Sequence, residues 1–146
     1  MKNPRNILIK FVSPVCLALA ATSAQAGEPL ALQKIMKDLG GNMQLVADGI
    51  SREDWALVEK TARFIASHPQ PPAAEKIRIM SFMGADMGKF KAYDGETHDA
   101  AETMGKAAAK RDGRGVINAF QKIQTACFNC HSEFRKPFAE YFYPPR

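Results

Sequence analysis

The chain has 146 residues, 46% of them hydrophobic, with 20 Lys and Arg against 15 Asp and Glu for a formal net charge of +5. The surplus is local: Lys2, Arg5 and Lys10 meet no acid within the first 26 residues, which leaves 17 cations against 15 anions in the remainder. A balance that close to neutral gives nucleic-acid binding no support, and the remaining 120 residues suffice for one domain with a real core.

Those three cations form a positive n-region, Phe11 to Ala21 is a short apolar run, and Ala24-Gln25-Ala26 is an A-x-A cleavage site. The pattern predicts a secretory signal peptide over 1–26, cleaved after Ala26, and a mature domain over 27–146. An uncleaved anchor is the competing reading, but Pro14 and the small-residue site favour cleavage. No later segment approaches the ~20 apolar residues of a membrane-spanning helix. A soluble exported protein follows, with no stable membrane insertion once the leader is gone. Cys16 leaves with the leader, so the mature chain keeps two cysteines.

The mature chain reads as helical throughout. Leu32, Ile35, Met36, Leu39, Met43, Val46 and Ile50 recur at intervals of three and four and trace one face of a first helix. Gly40 and Gly41 weaken it by ~1 kcal/mol each relative to alanine and mark a place where something bulky can approach the backbone. Ser51-Arg52-Glu53-Asp54 supplies a cap. Trp55, Val58, Ala62 and Ile65 then form a second amphipathic helix that ends before Pro69-Gln70-Pro71-Pro72. From Ala73 to Arg111 the pattern stays helical, with breaks offered at Gly84, Gly88 and Asp94-Gly95. A short helix near 73–83 and a main one from about 86 to 110 fit a bundle better than one rod. Asp112-Gly113-Arg114-Gly115 reads as a turn. A last helix from about Val116 carries Phe120, Ile123, Cys127, His131 and Phe134 on one face and is expected to end at Pro137. Four helices with short connections predict an all-α, antiparallel four-helix bundle.

The chemistry is concentrated at Cys127-Phe128-Asn129-Cys130-His131, a C-x-x-C-H attachment signature for a c-type haem. Two thiols add across the porphyrin vinyl groups, and the adjoining imidazole reaches the iron. Spacings of three and four put all three side chains on one helix face. A zinc half-site would want further N or S ligands, and a redox dithiol would want alternating strands and helices. Cys127 and Cys130 are therefore assigned to one covalent haem c, and His131 to the proximal position on iron. Export and a c-type haem together point to a bacterial periplasm.

Fifteen residues follow His131, with neither Met nor His among them, so a sixth iron ligand has to come from upstream. His131 lies six residues before Pro137, roughly 9 Å from the expected helix end. In an up-down-up-down bundle the residue level with it on the first helix, counted from Leu30, is Met36. Met43 sits almost two turns deeper, and Met80 reaches that level only if its segment is a bundle helix. Each methionine also has the ordinary reading of flexible core filler.

The C-terminal Cys-Phe-Asn-Cys-His-Ser-Glu-Phe-Arg on the last helix resembles the class II c-type cytochromes, the cytochrome c′ superfamily. Ile35-Met36-Lys37-Asp38-Leu39-Gly40-Gly41-Asn42-Met43 is similar to the first helix of its six-coordinate, low-spin branch. The resemblance covers most of residues 30–136, and it implies that Met36 binds iron opposite His131. Five-coordinate, gas-binding members carry a non-ligating side chain at that position. Leu32 stands where many members have an arginine near a propionate, so that contact does not carry over. The family often dimerises through its first two helices, which leaves a homodimer open for this chain.

Arg135, one turn past His131, either meets a propionate or is an exposed cation at a helix end. His68 at a helix end reads as a cap or an exposed side chain, and His98, among Glu96, Asp99 and Glu102, as part of a solvated face. Lys34, Lys37, Lys106, Lys110, Lys122 and Lys136 are candidates for docking an acidic redox partner, although scattered lysines are usually only surface. The functional expectation is a periplasmic one-electron carrier with His131 and Met36 as axial ligands, and no enzyme. The alternative is a five-coordinate protein that binds NO or CO. A peroxidase would want a polar distal acid/base pair, which the first helix does not offer.

Overall fold

The computed structural model describes residues 30–143. The leader over 1–26, the expected start at Gly27, Pro29 and the tail from Pro144 lie outside the described residues. Within them the chain is all-helical: α1 (Ala31–Ser51), α2 (Trp55–Ala66), α3 (Ala73–Met83), a 3-10 turn (Gly84–Asp86), α4 (Met87–Ala109), α5 (Gly113–Cys130), a π-helical turn (His131–Arg135) and α6 (Lys136–Phe142). With no strand among the described residues, this is consistent with a four-helix bundle built from α1, α2, α4 and α5. No described helix is long and apolar enough to cross a membrane.

The core takes side chains from each of those four helices. Val46, Val58, Ile65, Met104, Val116 and Ile123 are all fully buried in one cluster. Each such side chain contributes about 1.5–3 kcal/mol through removal from water. α1 and α2 approach closely at Gly49, where an added Cβ would stand 2.8 Å from Val58 Cγ2. A side chain there would force the two helices apart, so the absence of one sets their spacing.

The two tightest connections use the same device. Glu53 and Arg111 take the left-handed conformation, with φ of 54° and 56°, which reverses the chain in a few residues at some steric cost. The aspartate that follows each of them then caps the next helix: Asp54 Oδ1 accepts from the Leu57 amide and Asp112 Oδ1 from the Gly115 amide, both at 3.0 Å. The expected turn over 112–115 is therefore shifted, because Asp112 is the cap and Gly113 already belongs to α5. Of the three breaks offered in the long middle stretch, the chain uses only Gly84, at φ 51°. α4 runs unbroken through Gly88 and Asp94-Gly95.

The last helix does not stop at Pro137. Proline has no N–H to give to the carbonyl four residues before it and ordinarily ends a helix. Here the π-helical turn over His131–Arg135 widens the coil first, and Pro137 falls in the opening turn of α6, where no such bond is required. α6 then packs its aromatics on α3: Phe82 lies 5.6 Å from Phe138 and 5.3 Å from Phe142, centroid to centroid.

Candidate functional site

A cavity of about 360 Å³ opens between α1, α4 and the C-terminal helices, and its lining is mainly apolar. α1 contributes Leu32, Met36 and Leu39, and α4 contributes Phe90, Tyr93 and Thr97. From the other side come Cys127, Cys130, His131, Phe134 and Arg135. Four of the five residues singled out in the sequence sit close together on the C-terminal helices, and the fifth, Met36, faces the same space from α1. Among the described residues Met36 is the one methionine on that wall. Met43 packs against the main core, and Met80 is exposed away from the cavity.

The local structure explains how the two thiols and the imidazole come to share a wall. Ala126 is buried, Cys127 and Cys130 are half-buried, and Phe128 between them is 70% exposed, so the motif straddles the edge of the α5 apolar face. His131 opens the π-helical turn, a geometry that recurs at functional sites because one extra residue per turn re-aims its side chains. Glu133 pins that turn to α4: it takes the Lys89 ammonium at 2.5 Å and the Tyr93 hydroxyl at 3.3 Å. Phe134, buried, stacks edge-on against Phe90 with centroids 5.8 Å apart.

Burial shifts the protonation of all three groups of the motif. Burial raises the Cys130 thiol to about 11, with the neighbouring Cys127 and two carboxylates adding to the shift. Burial likewise raises Cys127, against a hydrogen bond from Thr97. His131 moves down through desolvation and the Arg135 cation, which keeps the imidazole neutral with a lone pair available to a metal. An apolar cavity, two thiols held neutral, a neutral imidazole and a thioether make a donor set that fits a haem c. Arg135 is exposed and lines the same cavity, in the π-helical turn that continues into α6 rather than at a helix end. Gly40 and Gly41 are not among the residues that line the cavity, and the space beside each is open.

The start of α1, and with it the height of Met36, is fixed from far along the chain. Leu30 offers no side-chain cap. Instead the Glu75 carboxylate on α3 accepts from the Ala31 amide at 2.7 Å and the Leu32 amide at 2.8 Å. The Tyr143 hydroxyl accepts from the Leu30 amide at 3.1 Å. An anion at a helix N-terminus satisfies open donors and complements the helix dipole. Glu75→Ala is expected to lower unfolding stability by about 1–2 kcal/mol in a denaturant titration, with Glu75→Gln recovering part of the loss.

Two further residues differ from their sequence reading. His98 is not on a solvated face: its ring packs against that of His68, 4.6 Å between centroids, and its Nδ1 meets the Ala66 carbonyl. His68 is neither exposed nor a cap, with only 8% of its side chain accessible. Acidic neighbours along α4 hid this, because the ring partner arrives from the end of α2. Of the candidate docking lysines, Lys34, Lys106 and Lys136 form i,i+4 pairs with acids on their own helices.

A family profile described as Cytochrome C' matches residues 30–135, from the residue before α1 to the end of the π-helical turn. No curated protein matches the chain significantly.

Proposed function

The chain belongs to the cytochrome c′ family, whose members carry haem c, and from that premise we propose that this one moves single electrons. The observation that carries the reading is Met36 on the wall of the cavity that also holds Cys127, Cys130 and His131. Cys127 and Cys130 would hold the group as thioethers, and His131 and Met36 would offer an imidazole nitrogen and a thioether sulfur to its iron. The haem supplies the one-electron couple at iron. What this chain adds is a thioether ligand and an apolar enclosure, both of which favour the ferrous form and raise the potential. Arg135 on the rim is placed to meet a propionate.

An antiparallel bundle is part of the same reading. Supporting it, Ala66 meets His98 while Ala62 lies beside Gly105. Likewise Ala107 lies beside Gly115, while Lys89 reaches Glu133. In that arrangement α1 and α5 run in opposite senses, and Met36 near the start of one comes level with His131 at the end of the other. Cleavage after Ala26, a periplasmic location and redox proteins as partners complete the proposal, and no catalytic group is assigned.

A second reading has its own support. The family's description favours a five-coordinate haem open to NO or CO, and Met36 is 37% exposed, a thioether not locked by packing. Optical spectra of the ferric holoprotein separate the two. Low-spin bands with the weak red methionine-to-iron absorption are expected, whereas a high-spin spectrum contradicts the electron-carrier reading.

A further inference from the structure

His68 and His98 are given no role in the proposed electron transfer, yet they are held in a defined pair, and His68 lines the haem cavity together with Asp94. His68 lies just past the end of α2 and His98 on α4, with their rings stacked 28° from parallel. Each Nδ1 meets a backbone carbonyl, His98 that of Ala66 at 2.5 Å and His68 that of Pro69 at 3.0 Å. A carbonyl oxygen can only accept, so each Nδ1 carries a proton and each neutral ring keeps its lone pair at Nε2. Both Nε2 atoms face one carboxylate: His68 at 3.4 Å from Asp94 Oδ1 and His98 at 3.5 Å from Asp94 Oδ2. The His68 side chain is more than nine-tenths buried, and its Nε2 has no hydrogen-bond partner. Where the rings are neutral, that lone pair facing a carboxylate oxygen is repulsive, and folded proteins rarely leave a buried polar atom such as His68 Nε2 uncompensated.

We infer that His68, Asp94 and His98 bind a divalent transition-metal cation of the zinc class. A cation between three acceptors replaces their mutual repulsion with coordination. One donor atom from each residue lies within 4.8 Å of the other two. Tetrahedral ligands at about 2.1 Å from zinc stand roughly 3.4 Å apart, close to the spacing from each Nε2 to the carboxylate. Metal-bound imidazoles characteristically donate the other ring N–H to a carbonyl or carboxylate, which fixes tautomer and orientation. The Ala66 and Pro69 carbonyls already fill that role. Asp94 is 41% exposed and lines the haem cavity, so an ion would reach it from that side, and a fourth ligand would complete a tetrahedral ion. Two imidazoles and one carboxylate favour zinc, nickel or copper(II) over magnesium or calcium, which prefer oxygen ligands throughout. Asp94 and His98 are one turn apart on α4, so the ion would tie the end of α2 to the middle of that helix.

Calorimetric titration of the chelator-treated ferric holoprotein with Zn²⁺ alone tests the assignment. One ion per chain, a raised Tm and no response to Mg²⁺ are expected. His98→Gln and Asp94→Asn should each weaken zinc binding at least about tenfold, with circular dichroism unchanged in both and the haem spectrum unchanged in His98→Gln, whose ring does not line the haem cavity. Asp94→Asn keeps the side-chain volume and leaves the imidazole stack in place, so it carries the comparison even where a histidine variant unfolds. Absence of zinc uptake by the folded holoprotein overturns the inference. So does uptake that survives both substitutions, and so does a change of iron ligation in His68→Gln, which would put that ring at the haem instead.

Discussion

Replacing Cys127 and Cys130 together by alanine is expected to give a chain that surrenders all its haem to acidic organic solvent, whereas the native holoprotein keeps one haem per chain through the same extraction. The expectation rests on the wall these residues share. Both thiols line the cavity with His131, and both are half-buried. Burial in the fold pushes the Cys130 thiol up to about 11, which lowers its thiolate fraction. Each single variant should retain one thioether and therefore resist extraction, which distinguishes lost attachment from a lost fold. His131→Ala should keep the thioethers but lose the proximal ligand, with a changed spectrum and no loss of haem on extraction. Complete haem retention by the double variant would remove the covalent reading of the motif.

The second large effect is expected at Met36. Met36→Ala should convert a low-spin ferric haem to a high-spin one, abolish the red methionine band and lower the reduction potential. Ferrous affinity for carbon monoxide should rise by about 10–100-fold. That range follows if the methionine-dissociated form is a minor state of about 1–10%, because removing the competing ligand removes the penalty of populating it. The side chain is 37% exposed and outside both buried clusters, so the substitution should leave the bundle intact. Met36→Leu gives the control for packing: it restores the bulk without the sulfur and should behave like the alanine variant. Low-spin spectra in both variants would mean that another residue occupies the sixth position.

Much of the path to the site can be read from the residues themselves. Intervals of three and four locate α1, α2 and α5, and Gly84 separates α3 from α4 with φ 51° and ψ −122°, a combination that suits glycine. The C-x-x-C-H signature names its own chemistry. What stays hidden depends on contacts across the chain. Glu75 caps α1 from 44 residues away, and no local pattern in α3 marks it as a cap. The π-helical turn alters the usual meaning of Pro137: proline ordinarily ends an α-helix, and no local residue pattern marks the wider turn that precedes it. His98 misleads for the opposite reason. Its neighbours Glu96, Asp99 and Glu102 do describe an exposed helix face, yet one i,i+4 step from Asp94 places it at the seam with the end of α2.

The two functional readings part over whether Met36 occupies the iron, and carbon monoxide reports on that directly. The most direct measurement is the absorption spectrum of the dithionite-reduced, wild-type holoprotein before and after addition of carbon monoxide. A low-spin ferrous spectrum that carbon monoxide changes slowly and only at high concentration is the result predicted for an electron carrier with Met36 bound. A high-spin ferrous spectrum with immediate, saturating carbon monoxide binding would contradict that account and make this a gas-binding member of its family.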